Sequence, residues 1–181
     1  MAYREHITRE NIAADLRDLP HSMNWELLVT RWPEAVYYPG ALVFKTRLLA
    51  VTPPSSISHS TQTVNMHGHT FNMPGSIDRS GDVSLEFQDT TDRSISHAFI
   101  DWMNKIEDPS TKLGLPKADV TADMTLIMMD NALNPIIQYK MSTMMPTNYD
   151  SQDRASGSKD PLGNITVNLS IEHVVPTVLT Q

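Results

Sequence analysis

The chain has 181 residues, 40% of them hydrophobic and 19% charged, with a formal net charge of −7 and no cysteine. That length fits one domain with arms or long loops; the composition is too apolar for a disordered chain and contains no uninterrupted apolar run of membrane-spanning length. Without cysteine there are no disulfides, thiolate nucleophiles, Fe–S clusters or cysteine-based zinc sites, and the negative charge argues against tight binding to phosphate backbones, which Lys and Arg drive.

Residues 1–9 carry Arg4, Glu5, His6 and Arg9 but no apolar stretch of the secretory type, so the chain is expected to stay where it is made. Thr8 can cap free amides and Ile7 can staple onto Ile12; Ile12, Leu16 and Leu19 then recur at helical spacing until Pro20. This predicts a short N-terminal helix in an arm over residues 1–22, ahead of a single domain over 23–181.

Residues 25–32 and 42–51 are rich in aromatic and branched side chains and are separated by Pro33, Pro39 and Gly40, which predicts a first hairpin. Pro53-Pro54 ends it. Residues 56–66 and 70–73, rich in Thr, Ser, Asn and His around Gly68, predict an extended polar hairpin closed by Pro74-Gly75. On its first strand Ser58, Ser60, Gln62 and Val64 share one side; Ile57, His59, Thr61, Thr63 and Asn65 share the other. Neither side is a core face.

Val83, Leu85 and Phe87 alternate with Ser84, Glu86 and Gln88, the pattern of a strand buried on one face. After the capping residues at 89–92, Ile95, Phe99, Trp102, Met103 and Ile106 define the one strong amphipathic helix, ended by Pro109. Residues 124–129 and 136–143 predict two strands joined by the turn Asp130-Asn131-Ala132-Leu133-Asn134-Pro135. Residues 146–163 are predicted as loop, and the last strand sets Ile165, Val167, Leu169 and Ile171 against Thr166, Asn168, Ser170 and Glu172. Phe87, Phe99, Trp102 and Leu169 are the expected core anchors. Strands on either side of one long helix, without a βαβ rhythm, predict a mainly β fold: an antiparallel sandwich or barrel with one packed amphipathic helix, plus the short N-terminal helix and the extended polar hairpin.

Chemical signals are sparse. His67-Gly68-His69 could place two imidazoles on one side of a strand for a metal, as in cupin-like barrels, with His59, His173 or Glu86 completing the set; a turn at Gly68 would break that geometry. Asp82, Glu86 and Asp89 can be posed as catalytic carboxylates, but a strand's solvent side and a helix start already account for Glu86 and Asp89. No nucleophile elbow is present. Met124, Met128, Met129, Met141, Met144 and Met145 fit core filler better than a soft-metal surface. No enzyme and no cofactor are expected.

Val43-Phe44-Lys45-Thr46-Arg47 leads to Pro53-Pro54, and Asn72-Met73-Pro74-Gly75 is followed by Asp82-Val83-Ser84-Leu85-Glu86-Phe87-Gln88-Asp89. Phe99-Ile100-Asp101-Trp102 lies on the helix, and Met145-Pro146-Thr147-Asn148 precedes an acidic loop and an alternating last strand. In these residues, over positions 25–174, the chain resembles the tail tube proteins of contractile-tailed bacteriophages, whose fold is shared with the inner tube protein of type VI secretion; the first of the segments is similar to that family's first core strand and exit.

The resemblance implies a structural subunit of a phage inner tail tube, in stacked hexameric rings around a channel for DNA during genome delivery. Its implied partners are further copies of itself and the sheath, tape measure, baseplate and tail terminator proteins, with double-stranded DNA in transit and not specifically bound. The implied place is the virion tail, assembled in the host bacterial cytoplasm, without membrane binding. The same fold would serve a baseplate tube initiator, a tail terminator, or a type VI or pyocin-like inner tube. A strand pair with no core face suits a wet lumen or an edge shared between copies, so Ser58, Ser60, Thr61, Gln62, Thr63, Asn65, His67 and His69 are the candidate lumen and interface residues. Net acidity suits a channel that repels DNA.

Overall fold

The computed structural model describes residues 24–54, 58–130, 132–152 and 163–179. The N-terminal helix and arm predicted over 1–22 lie outside the described residues. The elements run β1 (Asn24–Arg31), α1 (Ala41–Arg47), β2 (Leu48–Thr52), β3 (Ser58–Met66), β4 (His69–Asp78), β5 (Gly81–Gln88), α2 (Ser94–Ile106), α3 (Lys117–Val120), β6 (Ala122–Met129), β7 (Pro135–Gln152) and β8 (Asn164–Val178). Six strands form one sheet in the order β1-β6-β7-β8-β5-β2, with every neighbouring pair antiparallel. The sheet curls until its two edge strands, β1 and β2, approach each other without hydrogen bonding. Among the described residues β3 and β4 pair only with each other.

Alternation decides which face is buried. Val83, Leu85 and Phe87 of β5, Leu126 of β6, and Ile165, Val167, Leu169 and Ile171 of β8 all turn inward and are almost fully buried. α2 lies over this face with Ile95, Ala98, Phe99 and Trp102 buried. Trp32, Phe44, Phe87, Phe99 and Trp102 form an aromatic cluster, with ring centroids 4.7 Å apart for Trp32–Trp102, 5.1 Å for Trp32–Phe44 and 5.8 Å for Phe87–Phe99. Pairs at these separations add about 0.5–1.5 kcal/mol each beyond the area they bury. The Trp102 indole Nε1–H donates to the Val120 carbonyl at 2.6 Å, so its polar edge is satisfied inside the core. Met124, Met141 and Met144 are buried filler; Met128, Met129 and Met145 are half-buried.

The start of α2 is fixed by carboxylates. Buried Asp89 accepts from the Ser96 main-chain N–H at 3.3 Å and from its hydroxyl, and Arg47 of α1 forks onto Asp92 at 3.0 and 3.1 Å. Negative charge at this helix end matches the free amides there.

Several expectations are corrected. Residues 41–47 form a helix and not the start of a strand, so Val43-Phe44-Lys45-Thr46-Arg47 is not a core strand. A short apolar run does not by itself distinguish the two states, and here Phe44 is buried among aromatic side chains from the helix while the Thr46 hydroxyl bonds back to the Leu42 carbonyl at 2.8 Å. β1 and β2 do not form a hairpin: β1 pairs with β6 and β2 with β5, at opposite ends of the strand order. β7 runs on to Gln152, where a loop was expected from Pro146; the proline is accommodated beside an irregularity between Pro146 and Asn148.

Candidate assembly surfaces

The β3–β4 ribbon turns through His67 and Gly68, both with positive φ (48° and 80°), as the tight twist-matched two-residue hairpin requires. His67 therefore sits in the turn and His69 on a strand. The turn separates the two imidazoles instead of aligning them on one strand, and among the described residues no group of three His, Cys, Asp or Glu could hold a metal. The strand continues through Pro74-Gly75, which does not close it; the ladder shifts between His59 and Thr61, opposite Pro74 and Ile77.

Pairing changes the character of the ribbon. Thr61 faces Pro74, Thr63 faces Asn72 and Asn65 faces Thr70 on one side, where Thr63 and Asn72 lie 3.1 Å apart and the Thr70 hydroxyl donates to Asn65 at 2.8 Å. On the other side Gln62 faces Met73, Val64 faces Phe71 and Met66 faces His69. The first strand alone has no apolar face, but β4 adds Phe71 and Met73 beside Val64 and Met66 and creates one. Met66, Phe71 and Met73 are about half exposed, at 53%, 50% and 50%. Ser58, Ser60, Thr61, Gln62, Thr63, Asn65, His67 and His69 are all exposed. They share one ribbon but divide between its two faces and its turn.

A second surface lies on the side of the sheet away from α2. Across β5, β8 and β7 its rows are Glu86–Thr166–Asp150, Ser84–Asn168–Asn148 and Asp82–Ser170–Met145. Asn164 donates to Glu86 at 2.8 Å. The rows hold Asp82, Glu86 and Asp150 and no Lys or Arg. The polar phase of the β5 and β8 alternation carried this signal, although only as a solvent face; the β7 members fell in a segment predicted as loop. The buried phase contains Phe87 and Leu169, which are fully buried along with Phe99 and Trp102 of α2.

Two stretches of backbone are open. Among the described residues, 145–152 of β7 pair with β8 on one side only, and 175–178 of β8, beyond the Val174 N–H that donates to the Arg79 carbonyl, pair with β7 on one side only, because β6 and β5 end short of them. Such half-paired strands are templates for another chain. No helix among the described residues is long and apolar enough to cross a membrane.

No protein-family model and no curated protein matches this sequence. Solved structures do match it. A chain of the sheath–tube complex of the PVC extracellular contractile injection system superposes with a TM-score of 0.59 at 18% identity, over 95% of this chain and 99% of that one. A chain of the PVC sheath/tube terminator gives 0.57 at 18% identity over 88% and 96%, and one of the anti-feeding prophage tube-terminating cap gives 0.56 at 15% over 85% and 89%. The chain thus has the tail tube fold found in contractile injection systems.

Proposed function

We propose that this protein is the structural subunit of the inner tail tube of a contractile-tailed bacteriophage, without enzymatic activity, assembled as hexameric rings that stack around a channel for DNA. The observation that carries the reading is the sheet with one apolar face under α2, one polar acidic face opposite, and open strand edges on either side. A sheet continued by its neighbours leaves no exposed edge, and a wet inner face suits a channel. Asp82, Glu86 and Asp150 would turn negative charge inward and repel a polyanion in transit. The sheath, tape measure, baseplate and terminator proteins would be its partners in the virion tail, built in the host cytoplasm.

The ribbon serves the same assembly. In a two-residue hairpin Met66 and His69 exchange both hydrogen bonds, and alternation then leaves Thr63 and Asn72 a non-hydrogen-bonded pair with the Thr63 N–H directed outward. Electron microscopy of purified protein is the test. Hollow tubes from the wild type, and their loss in Thr63→Pro with the melting temperature kept, support the reading; tubes formed normally by Thr63→Pro would remove the ribbon from it, and a monomer at every concentration would end it. A second reading, a terminator or initiator ring, is favoured by the likeness to chains of a tube-terminating cap and of a sheath/tube terminator; single rings that never stack would select it.

A further inference from the structure

An isolated two-stranded hairpin is marginal in water unless something packs on it. Here the ribbon has a self-satisfied polar face and an apolar face that no other described element covers. The uncovered face needs an occupant.

A matching groove exists on the body of the same chain. Met103, Ile106, Pro109 and Pro146, rimmed by Asn104 and the Glu107–Lys112 ion pair, line an open cavity of about 380 Å³ at the end of α2. Leu113 and Leu115, exposed at 74% and 40%, follow Lys112 in the loop after α2, which folds back on the helix end: the Leu115 N–H donates to the Lys105 carbonyl at 3.0 Å and the Leu113 carbonyl accepts from the Asp108 N–H at 2.9 Å. We infer that the Val64–Met66–Phe71–Met73 face of the ribbon seats in this groove on the neighbouring copy within the same ring. The inference rests on the tube reading above.

Position favours a neighbour around the ring over one above it. Pro146 pairs with Leu169, and Leu169 with Val83, two residues into β5; the ribbon leaves the body just before β5, where the Arg79 carbonyl accepts from Val174. Groove and ribbon root therefore lie at the same end of the sheet. β3 has nine residues, a reach of about 30 Å, comparable to a domain of this size at roughly 40 Å across. A ribbon laid sideways thus reaches the next body at its own level.

Area identifies the occupant as a copy in a closed assembly. Three half-exposed large side chains offer roughly 300 Å², whereas a stable pair buries about 800 Å² on each partner. One contact is too small to hold a dimer. In a ring each copy gives one ribbon and receives another, a head-to-tail contact between two different patches that closes by rotation.

Because the chain has no cysteine, two single-cysteine variants report on this contact directly. Met73→Cys protein is mixed with Leu113→Cys protein and treated with a short bis-maleimide at concentrations that yield rings but not tubes. The expected result is covalent dimers at least ten-fold above a control pair in which Leu49→Cys, on β2, replaces Leu113→Cys. In parallel, the double variant Phe71→Ser/Met73→Ser should need at least ten-fold more protein to form rings while melting at the wild-type temperature. A yield equal to the control, cross-links that appear only once tubes have formed, or rings at wild-type concentration from the double variant would each overturn the inference and leave the tube reading intact. Wild-type protein that never forms rings would overturn both.

Discussion

Gly75 faces Ser60 across the ribbon so closely that a β-carbon on it would lie 2.8 Å from the Ser60 carbonyl oxygen. Real β-carbons do not approach backbone to that distance, and the Ser60 hydroxyl also reaches the Ser76 carbonyl at 3.2 Å, so the ladder irregularity is closed from both strands. Gly75→Ala must therefore push the strands apart at the root of the ribbon. The expected outcome is loss of tube assembly by electron microscopy, with a shift in melting temperature of no more than about 2 °C, since the ribbon contributes little to the buried core.

A second relationship holds the bend in β7. Thr143 has a φ of 56°, a conformation that costs a β-branched residue roughly 1–2 kcal/mol, and its N–H donates to Asp123 at 2.9 Å; the other Asp123 oxygen accepts from Arg31 at 2.8 Å. The carboxylate thus ties edge strand β1 to the point where β7 leaves β6. Thr143→Gly should raise the unfolding free energy by about 0.5–1 kcal/mol, the relieved conformation outweighing the added freedom of the unfolded chain. Asp123→Ala should lower it by about 1–3 kcal/mol, because the Thr143 N–H loses its acceptor. Urea unfolding of the two variants checks both signs.

What could be read from the sequence follows from how local each cause is. The alternation of β8, the spacing of α2 and the turn at Asp130 are set by residues near one another, and each appears where it was predicted; Asp130 accepts from the Ala132 and Asn134 N–H groups at 2.8 and 2.7 Å. The failures have non-local causes. Residues 41–47 are helical because Phe44 meets Trp32, Phe87 and Phe99, none of which is near it in sequence. Pro146 sits within β7 because Leu169 stands opposite it. The apolar face of the ribbon exists only once register sets Val64 against Phe71 and Gln62 against Met73. A single strand holds half of that face.

Acid should weaken the fold through carboxylates held by nearby donors. The Arg47 guanidinium, followed by the Thr90 hydroxyl, holds Asp92 well below its ordinary value of 3.8; the Asn134 main-chain N–H and side chain lower Asp130, and the Thr111 and Ser110 N–H groups lower Asp108. A carboxylate depressed in the folded state adds stability at pH values where the unfolded group is also ionised. That contribution fades as pH falls from 3.8 toward the lower folded value. The urea midpoint is therefore expected to be level above about pH 5 and to fall below about pH 4. Asp92→Asn and Asp130→Asn should each flatten that fall. A midpoint that rises on acidification would contradict the assignment.

Met66 and Met73 are the exposed methionines among the described residues, and both stand on the apolar face of the ribbon, whereas Met124, Met141 and Met144 are buried. Thioether oxidation follows exposure: hydrogen peroxide transfers one oxygen to sulfur, giving a sulfoxide and water, and turns an apolar side chain into a polar one. Mild peroxide should thus convert Met66 and Met73 ahead of the buried set, as measured by peptide mass spectrometry, while the circular dichroism spectrum and melting temperature stay unchanged. Assembly should fail in step with that conversion, because polar sulfoxides then stand at two of the four apolar positions of the face. The Met66→Leu/Met73→Leu variant keeps the apolar face without the oxidisable sulfur and should assemble after the same treatment. If it loses assembly as the wild type does, the damage lies elsewhere and oxidation of the ribbon face is not what blocks assembly.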